Sequence, residues 1–310
     1  MATKRAAARR PATGRPVLIS PARLRAWPLP QPDEGGDKEV RGRVLVIGGS
    51  PEMPGACVLA ATAAARAGAG KLQIATCQSV APHVAVAVPE ARVFALPETR
   101  AGALATSGVT QLVEYVNEAR AVLVGPGLIG EAAIARFLTN LLAQTNSPTF
   151  ILDANALAFL ARAPESLKAL RGRVVLTPHA EEMGELLNTS KAAVARDRSG
   201  ALKQAVARFH AVVVLKGRET LIAAPGSQVY CNRAGNVGLA TSGSGDTLAG
   251  LIAGLAARGA APLQAAVWGV YLHARAGERL AAQRGPLGYL ARELPGEVPA
   301  LLAQLRPRKK

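Results

Sequence analysis

The sequence predicts an α/β fold in which a mostly parallel sheet is covered by helices on both faces, and three observations carry that expectation. From residue 43 onward short β-branched runs alternate with Ala- and Leu-rich stretches, the mark of βαβ units with right-handed crossovers. The residues that close these runs are glycine, polar or charged at one strand end after another. Of the 310 residues, 49% are hydrophobic, enough for a domain-sized core.

In chain order the alternation predicts a strand at 43–47, a helix at 55–69 and strands at 71–76 and 121–124. A helix at 131–143, a strand at 149–152 and a helix at 155–160 follow, then a strand at 173–176 and helices at 180–187 and 191–209. After a strand at 211–215, two short strands at 220–223 and 228–231 flank Pro225-Gly226 and read as a hairpin. The remainder is helical: 246–258, 262–283 and a last helix within 289–305. No repeat or linker-like shift interrupts it, so one domain is expected over 37–305. Residues 1–36, rich in Arg, Pro, Ala and Gly, read as a flexible basic tail ending in a short docked segment, and 306–310 as a second basic tail.

The net charge of +16 invites a nucleic-acid reading, but much of it lies in those tails, at Lys4, Arg5, Arg9, Arg10, Arg15, Arg23, Arg25, Arg306, Arg308, Lys309 and Lys310. The body mixes both signs and lacks the aromatic residues on which single strands stack, so no specific nucleic-acid partner is expected. Apolar runs are broken well before the ~20 residues a bilayer requires, so no membrane partner is expected either. The N-terminus lacks the apolar run of a secretory signal; an Arg-rich, acid-poor start is also compatible with a mitochondrial transit peptide. Cys57, Cys77 and Cys231 are odd in number and widely spaced, which points to reduced, buried thiols and a cytoplasmic location.

In an open parallel sheet ligands bind beyond the carboxyl ends of the strands. Those ends read Gly48-Gly49-Ser50, Gly125-Pro126-Gly127, Asp153-Ala154-Asn155, Thr177-Pro178-His179 and Lys216-Gly217. The strongest local signal is Ser242-Gly243-Ser244-Gly245-Asp246, small residues running into an apolar helix. Such a helix start offers free N–H groups and a positive dipole end to a phosphate. Asp246, in the first turn, is placed to accept a hydroxyl proton; the competing reading is a helix cap. His179 could be a helix-start residue bonded to backbone, Lys216 a solvated strand-end cation, and Asp153 and Asn155 turn or cap residues. Gly125–Gly130 also fits the G-x-G-x-x-G fingerprint of a dehydrogenase, with Asp153 after the next strand.

Taken together these segments resemble the ADP-dependent NAD(P)H-hydrate dehydratases of the ribokinase-like superfamily. The resemblance covers about residues 38–285 and rests on Val44–Ser50, Met53-Pro54-Gly55-Ala56, Arg66–Gly70, Gly125–Gly127, Asp153–Leu157, Thr177–His179, Lys216-Gly217 and the Gly235–Gly250 loop. It implies a ribokinase-like three-layer sandwich and a repair reaction, in which a hydrated nicotinamide ring is phosphorylated on its new hydroxyl and then loses phosphate. By motif, Ala56, Gly127, His179 and Asp246 would contact NADH hydrate or NADPH hydrate, with Asp246 the base. Lys216, Gly217, Arg218, Glu219, Thr220 and Gly245 would hold the nucleotide, ADP being the usual donor in bacterial members and AMP the product. The resemblance also implies Mg2+ with ligands unassigned, a homo-oligomer, and a separate NAD(P)H-hydrate epimerase. Two departures stand out: Asp37–Gly42 where the family often has H-K-G-x-Y-G, and the Ser242–Asp246 loop where G-G-T-G-D is commoner. A ribokinase-like kinase of small, vitamin-precursor alcohols would use the same loop and base.

Overall fold

The computed structural model describes residues 15–31, 35, 41–145, 147–170 and 172–306. In chain order these form β1 (Val17–Leu18), α1 (Pro21–Ala26), β2 (Arg43–Ile47), α2 (Pro54–Arg66), β3 (Lys71–Cys77), α3 (Ala81–Ala87), β4 (Ala91–Leu96), α4 (Val109–Glu118) and β5 (Ala121–Val124). Next come α5 (Glu131–Ala143), β6 (Thr149–Leu152), α6 (Asn155–Arg162), β7 (Val174–Leu176), α7 (Ala180–Leu187), α8 (Lys191–Arg196), α9 (Arg198–Phe209) and β8 (Val212–Leu215). The hairpin β9 (Thr220–Ala223) and β10 (Tyr230–Asn232) leads to α10 (Ser244–Ala257), α11 (Pro262–Arg284) and α12 (Leu294–Gln304).

The strands form one sheet in the order β1-β10-β9-β8-β7-β6-β5-β2-β3-β4. Every pairing is parallel except the two made by β9, so β9 alone runs against the rest. Side chains alternate between two cores: Val44 and Val46 enter one, Leu45 and Ile47 the other. A strand buried on both faces reads as a continuous apolar run, which is why Val44–Ile47 shows no polar alternation. The first core lies under α2, α10, α11 and α12, the second under α4, α5, α6, α7 and α9, giving the expected three layers.

Several boundaries differ from the sequence expectation. The helix expected over 191–209 breaks at Asp197, whose non-helical backbone and carboxylate, accepting from the Gly200 amide at 2.7 Å, start a second helix. α3, β4 and α4 were not predicted: β4 lies at the sheet edge, where mixed exposure blurs its pattern.

The tail assignment also changes. Residues from Val17 onward belong to the body: the Val17 and Ile19 amides donate to the Val229 and Cys231 carbonyls at 2.8 and 2.9 Å. Leu24 and Leu29 are buried, Trp27 stacks on Tyr230, and the Trp268 indole N–H donates to the Trp27 carbonyl at 3.0 Å. The folded body therefore starts some twenty residues before the expected boundary at 37. A parallel partner more than two hundred residues away leaves no local pattern, so this strand was invisible in sequence. Residues 1–14, 307–310 and the departing segment 37–40 lie outside the described residues.

Candidate active site

Along the sheet, β2, β3 and β4 run outward in one direction and β5, β6, β7 and β8 in the other. The order therefore reverses between β2 and β5, where open α/β sheets leave a crevice. The loops after these two strands are the glycine steps Gly48-Gly49 and Gly125–Gly127, and the Gly49 amide donates to the Pro126 carbonyl at 2.7 Å. A Cβ on Gly125 would strike the Asp153 carbonyl, and one on Gly127 the Met53 carbonyl, both at positive φ. That same added Cβ would lie 2.9 Å from the Ala56 methyl, so Ala56 at the start of α2 and Gly127 after β5 are neighbours. At Gly125 and Gly127 the missing side chains let the loop pack directly against neighbouring backbone.

Three further strand ends meet at Asp153, which is 2% exposed. Its Oδ1 accepts from the Thr177 hydroxyl at 2.7 Å and from Lys216 Nζ at 3.0 Å. Asp153 is thus a buried hub rather than a cap, and Asn155 ties two loops by donating to the Leu128 carbonyl at 2.7 Å. Lys216, far from being solvated, also lies 3.6 Å from the Glu182 carboxylate. His179 does cap its helix, as one reading expected. Its Nδ1 accepts from the Glu181 and Glu182 amides, while the His179 amide donates to the Glu182 carboxylate. An Nδ1 that accepts leaves the ring proton on Nε2, and half of the side chain stays exposed beside the site.

α10 begins at this edge. Its cap is Gly243 at φ +84, and Asp246 makes no capping bond, so capping does not explain the carboxylate. A Cβ on Gly245 would lie 3.6 Å from Lys216 Nζ and 4.0 Å from Asp153 Oδ2, which brings the free N–H groups of α10 to the Lys216–Asp153 pair. Burial first, then the nearby Asp153, raises the Asp246 carboxyl to about 7, with Lys216 opposing. For Lys216 burial pushes downward but is outweighed by Asp153 and Glu182, so its pKa rises and it remains an ammonium. Cys57, beside this site, is pushed up to about 12, chiefly by burial, so it stays a thiol rather than a nucleophile.

The remaining expected nucleotide contacts follow Lys216. Gly217, Arg218 and Glu219 form an exposed turn, whereas Thr220 is buried and its hydroxyl donates to the Gly217 carbonyl at 3.3 Å. Arg198 holds this turn, donating to the carbonyls of Leu215, Lys216 and Glu219 at 3.1, 3.2 and 3.0 Å. Across the site, the Gly235 amide donates to Glu278 at 2.7 Å and the Tyr289 hydroxyl to Asn236 Oδ1 at 2.7 Å. Arg198, Glu278 and Tyr289 carried no sequence signal, because each acts across the fold from an ordinary helix or loop position.

A family model for NAD(P)H-hydrate dehydratase matches residues 44–300. The ADP-dependent (S)-NAD(P)H-hydrate dehydratase of Xanthomonas campestris is 47% identical over 93% of this chain and 96% of its own length. A ribokinase-like superfamily protein of Enterococcus faecalis superposes with a TM-score of 0.82 at 27% identity, covering 94% and 96% of the two chains. The ADP/ATP-dependent NAD(P)H-hydrate dehydratase of Bacillus subtilis, crystallised with ATP and Mg2+, gives 0.79 at 30% identity, covering 95% of this chain and all of the other.

Proposed function

Because the chain belongs to the NAD(P)H-hydrate dehydratase family, we propose that its strand-end site transfers phosphate from ADP to hydrated NADH or NADPH and then expels it, with Asp246 as the base. The reaction is the ADP-dependent dehydration of (S)-NAD(P)H hydrate. The observation that carries the assignment of roles is the Asp246 carboxyl, raised to about 7 beside a glycine-lined helix start and the Lys216 ammonium. A base of that strength is partly ionised at neutral pH and can still accept a hydroxyl proton as the phosphoryl bond forms.

In the first step the ring hydroxyl oxygen attacks the terminal phosphorus of ADP, its proton passes to Asp246, and AMP leaves with the bridging oxygen. In the second the carbon–oxygen bond breaks, phosphate departs with the electron pair, and loss of a proton from the adjacent ring carbon restores the double bond. The sum consumes hydrate and ADP and yields NAD(P)H, AMP and phosphate. Ala56, Gly127 and His179 line the substrate side with Asp246. Lys216, Gly217, Arg218, Glu219, Thr220 and Gly245 form the nucleotide side, Thr220 by shaping the turn. Helix N–H groups and Lys216 stabilise the charge that the moving phosphoryl group carries.

Magnesium, when bound, supplies further neutralisation of that charge. No cluster of three or more His, Cys, Asp or Glu side chains suited to a metal occurs among the described residues. That fits an ion held largely by the donor's phosphates with one or two protein carboxylates, and Asp153 and Asp246 are the carboxylates on that side. Among the described residues no helix is long and apolar enough to cross a membrane. A cytoplasmic homo-oligomer served by a separate epimerase completes the proposal, since an (S)-specific site needs the other epimer converted.

The test is incubation of hydrated NADH or NADPH with Mg2+ and ADP, following the near-ultraviolet absorbance of the reduced ring. Nucleotide-dependent return of absorbance with stoichiometric AMP is expected. Phosphorylation of a small alcohol without that return would replace the proposal with the kinase alternative.

A further inference from the structure

His273 on α11 has no part in the chemistry above, yet its ring reaches the anion-binding turn. It is 8% exposed, and its Nε2 lies 3.0 Å from the Ser244 main-chain carbonyl and 3.1 Å from the Ser244 hydroxyl oxygen. A carbonyl oxygen only accepts, so Nε2 must carry the ring proton. Burial drives the imidazole down to about 4, and the ring is neutral with a single N–H. That N–H is spent on Ser244. The Ser244 hydroxyl therefore faces a nitrogen with no free lone pair and cannot donate to it, which leaves its own proton for another acceptor. Ser244 is the first residue of α10, between Gly243 in the left-handed region and Gly245 beside Lys216.

We propose that His273 is a positioning residue whose Nε2–H pins the first turn of α10 and directs the Ser244 hydroxyl proton toward the phosphoryl oxygens received there. The inference rests on the nucleotide reading above. It also explains a neutral ring at this spot: an imidazolium would crowd the Lys216 ammonium, which itself disfavours protonation of His273. Asp246 stands two residues further along the same turn, so a loosened turn displaces the base as well as the phosphate site.

Three measurements test this. Histidine nitrogen NMR of the intact chain between about pH 5 and 6, where an ordinary histidine is charging, should show a neutral His273 protonated on Nε2; an Nδ1–H tautomer would overturn the inference whatever the nucleotide does. His273→Leu should weaken ADP binding by calorimetry about tenfold, while His273→Gln, which keeps an N–H near the same place, should stay within about twofold at a similar change in Tm. Equal ADP affinity in both variants, or equal loss in both, would reduce His273 to a core residue. In a Ser244→Ala background the His273→Leu effect should shrink, and full additivity would also overturn the proposal. Failure of the unaltered protein to bind ADP would sink the nucleotide reading instead, with the tautomer measurement still deciding the His273–Ser244 geometry.

Discussion

Helices α2 and α10 meet backbone to backbone, whereas α5 meets the sheet through Phe137, Leu138 and Leu141. Twelve of the fourteen residues of α10 are buried, and a Cβ on Gly250 or Gly254 would run into the carbonyls of Ala60 or Ala64. On the opposite layer α4, α5, α6 and α7 bury one stripe of large side chains and expose the other. Interlocked large side chains can repack around a change, but two backbones in contact can only separate. The layer built from small residues is the one that carries Ala56 and Asp246 at its helix starts, so the chemistry rests on the contact with the least freedom to shift.

The largest expected effect lies at the tip of that rigid layer. Asp246→Asn should lower kcat by about 10²–10⁴ while ADP affinity by calorimetry changes little. In the unaltered enzyme kcat/KM should fall about tenfold per pH unit below about 7, and the variant should lose this limb. Linkage gives the same residue a stability signature. Its folded pKa stands above the unfolded one, so its contribution is fully present below about pH 4 and is lost as pH rises to about 7. Asp246→Asn should therefore raise Tm at pH 8 relative to the parent, and an unchanged or lower Tm with near-normal turnover would show that the carboxylate is neither strained nor catalytic.

Next comes a direct contrast between layers. Leu138→Ala should cost about 2–5 kcal/mol of stability and leave kcat/KM of the folded enzyme intact. Gly250→Ala should destabilise by roughly 1–3 kcal/mol and also lower kcat/KM, because it pushes α10 away from α2. Denaturant titration beside steady-state kinetics measures both; equal kinetic effects of the two changes would erase the proposed distinction. Lys216→Ala should then weaken ADP binding about 10–100-fold with a smaller effect on hydrate KM, since the paired ammonium faces the α10 start; unchanged ADP affinity would confine it to bracing Asp153. The smallest effect belongs to the exposed Arg162–Glu131 pair at 2.8 Å on the outer layer. Arg162→Ala should shift stability by no more than about 1 kcal/mol, and a larger loss in Tm would mean that layer depends on its surface charges.

The outer layer and the strand ends were legible because both obey local rules. α5, α6 and α7 appeared at nearly their observed positions, and Gly125–Gly127, Lys216 and Asp246 stood at strand or helix ends where sheet topology places ligands. The role of Asp153 was not legible, since a turn residue and a buried hub look alike until Thr177 and Lys216 are seen to converge on it. Nor was the site's bracing by Arg198, Glu278 and Tyr289, which reach it from other elements.

By itself the sequence determined the α/β class, the order of most elements and the family, because hydrophobic period, glycine at turns and small residues at a helix start are consequences of neighbours along the chain. Tertiary structure alone decided that Val17–Leu18 closes the sheet beside β10, that Thr177 and Lys216 converge on Asp153 and that the Asp246 carboxyl stands near 7. Each of these depends on desolvation and on partners brought together from distant segments, and the free energy of a charge is fixed by what surrounds it in space, not by what precedes it in the chain.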